Sequence, residues 1–219
     1  MNRPSLILLV GIPGSGKTTY AEKYLEVFNN TIHLSSDKIR AELWGSEATQ
    51  GDNNEVFSLM QSRAIEALNN GQSVLYDATN VTRKDRSYII TLCPKFVKIE
   101  CHIIWAPIET CIERDAARER TVGKTVIDKM LKRFQAPYYD EGIDEIKVFW
   151  NTKEDFNQNT YVENIIQATN IDHDNPHHTL NIKEHCEEAC KYAIDHKYSS
   201  NLCFATKYHD IGKPYVKSF

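Results

Sequence analysis

The stretch GIPGSGKTT, residues 11–19, constrains this chain more than any other. It follows the apolar run SLILLV, in which Ile7, Leu8, Leu9 and Val10 offer no polar face. A short run of this kind reads as a strand buried on both sides, as at the centre of a parallel sheet. The spacing Gly11-x4-Gly16-Lys17-Thr18 completes a phosphate-binding pattern without gaps. Glycines let the backbone curl until several N–H groups point at one anion. The next residues, TTYAEKYLEVF, have helical spacing, so the loop feeds a helix N-terminus, where the dipole favours negative charge. Gly11, Gly14, Ser15, Gly16, Lys17, Thr18 and Thr19 are therefore expected to hold a nucleoside triphosphate, with Lys17 on its terminal phosphates and Thr18 on Mg²⁺.

The same alternation continues through the first 150 residues. Strand-like pieces recur at 6–10, 32–34, 73–76, 98–105 and 146–149, with amphipathic stretches between them. In NEVFSLMQSRAIEALNNG, Phe57, Met60, Ala64 and Ala67/Leu68 share a face, Asn53 or Asn54 is the expected cap, and Gly71 the expected end. The fold class is α/β: a parallel sheet flanked by helices, of the P-loop nucleotide-binding type, with ligands bound beyond the C-terminal strand edges. Residues 1–150 form this domain. Residues 151–176 are polar and asparagine-rich and read as a linker. Residues 177–219 form a helical segment.

Charge limits the partners. The net charge is −4, so any contact with a polyanion needs a local basic patch. All arginines lie in the first 150 residues, and the seven basic residues after them are lysines. Arginine suits bidentate phosphate contacts, which points to phosphate handling in the first domain. Six cysteines without a C-x-x-C pair, beside a nucleotide site, indicate reduced thiols and a cytoplasmic protein. No apolar run reaches membrane-spanning length, and MNRPSLILLV has too short an apolar core for a signal peptide.

Three clusters fall where strand ends are expected. In LSSDKIRAEL, Asp37 and Arg40 are three residues apart, on nearly one helical face, with Ser35 or Ser36 as cap. The carboxylate can take the proton of an attacking hydroxyl, and the arginine can grip a phosphate on the acceptor. The alternative is a solvated ion pair at a helix start. In SVLYDATNVTRKDR, Asp77 closes a strand near the expected Mg²⁺, and Thr79 and Asn80 can face the acceptor; the alternatives are a turn-former and an Asx-turn. Thr82 caps the next helix, with Arg83, Lys84 and Arg86 as a solvated basic edge. In ERDAARERTVGKTVIDKM, Arg114 and Arg118 are four apart, on one helical face, with Arg120, Lys124 and a Gly123 hinge beyond. Two such arginines can close over the γ-phosphate. The alternative is a helix laced by pairs with Glu113, Asp115 and Glu119.

GIPGSGKTT, DKIR, DATN and ERDAARERTVGKTV, in this order and spacing, resemble the polynucleotide 5′-kinases of the phage and bacterial end-healing type, and equally the broader group of P-loop kinases. The trailing FQAPYYDEGIDEI is similar to a segment that these kinases often carry. The resemblance covers about two thirds of the chain, roughly residues 4–150. It implies ATP-dependent transfer of the γ-phosphate to the 5′-hydroxyl of an oligo- or polynucleotide. In that case Lys17 and Thr18 hold the ATP phosphates and Mg²⁺, and Asp37 is the general base. Arg40 binds the acceptor's phosphate, Asp77 and Asn80 line the acceptor side, and Arg118 is the lid arginine with Arg114 supporting it. Gly123 stands where the family usually has a proline. The alternative within the same fold is a kinase for a small hydroxyl metabolite, nucleoside or antibiotic.

NPHHTLNIKEHCEEACKYA and FATKYHDIGKP resemble the opening of an HD-type metal phosphohydrolase domain. The resemblance implies a divalent transition metal on His185, His209 and Asp210. The family has a further aspartate on a later helix, and only about 45 residues of the fold are represented here. His177 and His178 are weaker ligand candidates.

Overall fold

The apolar run before the glycine-rich loop is β1 (Ser5–Val10), and Leu6 to Val10 are all fully buried. The computed structural model describes residues 3–46, 49, 51–118, 121–152 and 179–210. Among these, five strands form one parallel sheet in the order β2-β3-β1-β4-β5, with β2 at Thr31–Ser35, β3 at Ser73–Asp77, β4 at Lys98–Trp105 and β5 at Glu145–Trp150. Alternate residues of β1 feed two cores, because successive side chains leave a strand on opposite faces. Leu6, Leu8 and Val10 join Met60, Leu68 and Ile89 on one side, while Ile7 and Leu9 meet Ala21 of α1 (Lys17–Val27) on the other. Each such side chain contributes about 1.5–3 kcal/mol by leaving water, which accounts for the all-apolar composition of the central strand.

Register places the chemistry. Leu9 pairs with Asp77, and Asp77 pairs with Ser35. The ends of β1, β3 and β2 therefore sit side by side, and the phosphate loop, Asp77 and the start of α2 (Ser36–Trp44) converge at one edge. Ser35 caps α2 by accepting from the Lys38 N–H. α3 (Asn53–Asn69) is capped one residue earlier than expected, by Asp52, whose carboxylate accepts from the Asn54 N–H at 2.8 Å, and its C-cap is Asn70 rather than Gly71. An aspartate is the better cap at a position facing the helix dipole. α4 (Arg83–Leu92) starts at a Thr82–Asp85 capping box.

Arg86 is not on a solvated edge. It is fully buried and pairs side by side with Glu141, both contacts at 2.8 Å, while its Nη1 also donates to the carbonyls of Asn80 and Gln135. One guanidinium thus ties the loop after β3 to the segment before β5. Arg83 and Lys84 are exposed, as expected.

Helix α5 (Ile108–Ala116) ends before Arg118, so Arg114 and Arg118 do not share a helical face. α6 (Lys124–Lys132) follows, with Gly123 at its N-cap. Arg120 and Glu119 lie outside the described residues.

The chain divides into two compact units, Met1–Thr152 and Lys153–Phe219. In the second, α7 (Ile182–Asp195) and α8 (Ser200–Tyr208) pack together, and Asn181 with Glu184 forms a capping box on α7. Residues 153–178, which hold most of the expected linker and His177 and His178, lie outside the described residues. No helix among the described residues is long and apolar enough to cross a membrane.

Candidate active site

A cavity of about 520 Å³ opens at the C-terminal edge of the sheet. Pro13, Gly14, Gly16, Lys17 and Thr18 form its floor. Ser36, Asp37, Arg40, Asn53 and Phe57 form one wall, Asp77, Ala78 and Thr79 the back, and Asp115, Arg118, Val122 and Met130 the opposite wall.

The floor requires its glycines. Gly14 has φ +79° and Gly16 φ +96°, a region that side chains disfavour. A Cβ on Gly14 would strike the Cys111 carbonyl, and one on Gly16 the side-chain amide of Asn151. Lys17 donates from Nζ to the carbonyls of Gly11 (2.8 Å) and Ile12 (3.1 Å). Burial holds its pKa below that of an ordinary lysine; Asp77 and Asp37 pull it back up, and Arg118 pushes it further down. A desolvated ammonium on the floor of this cavity is a site for an anion, because a polyphosphate would offset the desolvation. Thr18 is exposed in the first turn of α1, and Asp77 stands at the back of the same cavity. This donor set fits a nucleoside triphosphate with Mg²⁺: Lys17 and the loop amides for phosphate, Thr18 and Asp77 on the metal side.

Three of the expected loop residues do not line the cavity. Gly11 is buried and donates its N–H to Thr79 O at 3.1 Å, which fixes the loop to the end of β3. The Ser15 hydroxyl is buried with no hydrogen-bond partner among the described residues. Thr19 is exposed on the next position of α1.

On the wall that carries Asp37, Arg40 Nη1 donates to Asp37 Oδ1 at 2.7 Å, and Nη2 donates to Asn53 Oδ1 at 3.2 Å. The Arg40 side chain is 14% exposed and that of Asp37 55%. Asp37 is thus reachable from the cavity while Arg40 is held between two elements. Asn53 was expected from sequence only as a cap of α3, because its position beside Arg40 depends on how α3 packs on α2. Asp77 is 3.2 Å from His33 Nε2 on the neighbouring strand, a residue the sequence did not flag.

Asn80 was expected on the acceptor side and is instead turned inward. It is 3% exposed, has φ +47°, and donates from Nδ2 to the Leu9 carbonyl at 2.8 Å. A buried amide in a left-handed turn is held by satisfying backbone groups, and here it locks the loop after β3 onto β1.

Arg118 lines the cavity. Arg114 lies on the outer side of the phosphate loop, where Nη1 is 3.2 Å from Asn151 O and 3.5 Å from Gly14 O. Asn151 in turn donates from Nδ2 to Ser15 O at 2.8 Å, and its backbone N–H reaches Trp105 O at 2.7 Å. Arg114 and Asn151 therefore latch the loop to the ends of β4 and β5. Asp115, which entered the sequence reading only in the alternative of a helix laced by ion pairs, is 2% exposed. It accepts from the N–H groups of Val122 (3.1 and 3.2 Å) and Gly123 (2.9 Å), so it closes the segment that carries Arg118 onto α5.

In the second unit, His185, His209 and Asp210 bring one ligand atom each within 4.8 Å of one another. The two Nε2 atoms are 3.2 Å apart. His209 Nδ1 is 2.7 Å from Thr206 O, so Nδ1 carries the proton and Nε2 is left as an acceptor. Two imidazoles and a carboxylate suit a divalent transition metal.

Residues 6–137 match the family described as AAA domain. The transcription factor bHLH140 of Arabidopsis thaliana is 26% identical over 148 residues, covering 64% of this chain and 15% of that protein. The L-seryl-tRNA(Sec) kinase of Methanococcus maripaludis is 27% identical over 168 residues, covering 70% of this chain and 62% of that protein. Among solved structures, a chain of the Pnkp1/Rnl/Hen1 RNA repair complex superposes with a TM-score of 0.55 at 24% identity, covering 66% of this chain and 47% of that one. The chain spans 15%, 23% and 62% of the lengths of curated relatives it matches.

Proposed function

The chain belongs to the AAA domain family, and from that premise we propose that it is an ATP-dependent kinase for the 5′-hydroxyl of an oligo- or polynucleotide. The observation that carries this reading is the Asp37–Arg40 pair, facing the phosphate loop across one cavity. A base and a fixed guanidinium side by side suit an acceptor that offers both an alcohol and a phosphate. The names of an L-seryl-tRNA(Sec) kinase and an RNA repair complex among the similar proteins support a nucleic-acid acceptor.

Asp37 takes the proton of the acceptor hydroxyl. The acceptor oxygen bonds to the γ-phosphorus as the bond from that phosphorus to the bridging oxygen breaks, and ADP leaves. Lys17 and the loop amides bind the β- and γ-phosphates, and Arg118 meets charge spreading over the transferred group. Thr18 and Asp77 would hold Mg²⁺, which would supply neutralisation of phosphate charge. Asp115 positions the Arg118 segment, and Arg114 holds the loop rather than the phosphate.

The test is ATP labelled at the γ-phosphate with Mg²⁺ and a panel of acceptors. Label should enter 5′-hydroxyl DNA or RNA and a nucleoside 3′-monophosphate, the smallest acceptor that gives Asp37 a hydroxyl and Arg40 a phosphate. Label in sugars or phosphate-free nucleosides alone would replace this reading with a small-molecule kinase.

For the second unit we propose that His185, His209 and Asp210 bind a divalent transition metal. Titration calorimetry with Mn²⁺ or Co²⁺ should show one site that His209→Ala removes; equal heats from both proteins would end the idea.

A further inference from the structure

We infer that the surface made by the start of α4 and the segment after α6 is a platform for a single strand leading away from the acceptor cavity. This rests on the reading of the acceptor as a nucleic acid, and it adds where the rest of the strand lies.

The path is continuous. Thr79 lines the cavity. Two residues on, Val81 O accepts from the Gln135 N–H at 2.8 Å. Gln135 Oε1 accepts from the Arg83 N–H at 2.8 Å, and Arg83 Nη1 donates to Asp140 Oδ2 at 3.1 Å. The loop after β3 is thus stitched to residues 135–140, and the buried Arg86–Glu141 pair fixes both from beneath.

The exposed residues on this seam are of the types that hold single strands. Tyr138 is 67% exposed and Tyr139 61%, two neighbouring aromatic side chains at the surface. Arg83 and Lys84, in the first turn of α4, and Arg133, at the end of α6, are exposed on the elements that form this surface. Arg83 and Asp140 pair, so their charges cancel, and Asp85 accepts from the Thr82 N–H, which leaves Lys84 and Arg133 as the cations for a strand. A chain with net charge −4 needs a local basic surface to meet a polyanion, and this one adjoins the cavity. Bases stack on tyrosine without regard to sequence, and guanidinium or ammonium groups follow the phosphates. The occupant is a single strand, because a duplex hides its base faces.

The test compares a nucleoside 3′-monophosphate, which fills only the cavity, with a 5′-hydroxyl 12-mer. For Tyr138→Ala/Tyr139→Ala, KM for the 12-mer should rise about fivefold or more, from the usual five- to hundredfold loss per stacked base. KM for the monophosphate and for ATP should stay unchanged. For Lys84→Gln/Arg133→Gln, the salt dependence of 12-mer binding, read by fluorescence anisotropy, should fall by about 1.4 in log–log slope, from roughly 0.7 per phosphate contact. Equal effects on both acceptors, or none on the 12-mer in either assay, would overturn the proposal and leave the patch as a protein-contact surface. If the native protein labels neither acceptor but still hydrolyses ATP, the kinase reading itself falls, which is a separate outcome.

Discussion

Asp37 and Asp115 show how different two carboxylates in one cavity can be. Asp37 is half exposed at the cavity and paired to a guanidinium that Asn53 also holds. Asp115 is buried, and its oxygens accept from two backbone N–H groups. Asp115→Ala should therefore free the turn at Val122 and Gly123 rather than remove a reacting group. Hydrogen exchange at those two amides should speed up, and kcat should drop about tenfold or more, since a charge-assisted hydrogen bond contributes about 1.5–3 kcal/mol. ATP affinity should change little; unchanged exchange at both amides would contradict this role. The phosphate loop was legible in sequence because its chemistry is contiguous: strand, glycines, lysine and helix follow one another. Asp115 was not, because its partners reach it only through the fold of the intervening turn. Asn80 misled for the opposite reason, since its side chain is drawn inward by the free carbonyl of Leu9, 71 residues away.

Among elements, the same contrast separates α1 from α5 and α6. The strands were legible to within one or two residues, because each is a short segment rich in apolar and β-branched residues between turns or helices. The end of α5 was not. Charged residues continue past Ala116 with helical spacing, yet Asp115 turns back on the backbone and stops the helix. Arg86 was misread because Arg83, Lys84 and Asp85 around it are polar, while its burial depends on Glu141, 55 residues on. That pair braces the loop after β3 and the segment before β5. Arg86→Ala should cost about 3–5 kcal/mol in urea denaturation, because Glu141 is left charged and buried. Arg86→Met with Glu141→Leu should recover much of that loss, since two apolar residues leave no unpaired charge. A single-variant cost below about 1 kcal/mol would show that the brace does not hold the elements together.

Across the whole molecule, the first unit's stability should carry a signature of its buried thiols. Burial pushes the thiol of Cys101 up to about 12 and that of Cys111 up to about 11. A thiol ionises more readily in the unfolded chain, near pH 8.5–9, so their contribution is complete below that pH and is lost as pH rises through the folded values. The loss approaches about 1.4 kcal/mol per pH unit for each thiol. The melting temperature should fall between pH 9 and 11, and Cys101→Ala/Cys111→Ala should show a shallower fall. Parallel curves would refute the assignment. At this scale the sequence disclosed the α/β order and the cavity's edge of the sheet, but not the strand order, which depends on crossovers that leave no local mark. The central claim is that one cavity holds a polyphosphate on its floor and an alcohol-activating carboxylate on its wall. The most direct measurement is paired on Asp37→Asn: ATP affinity by calorimetry, and label transfer to a 5′-hydroxyl nucleoside 3′-monophosphate. ATP affinity should remain within about twofold, while transfer falls by about 10²-fold or more, the usual share of a general base. Transfer at the native rate would contradict the account.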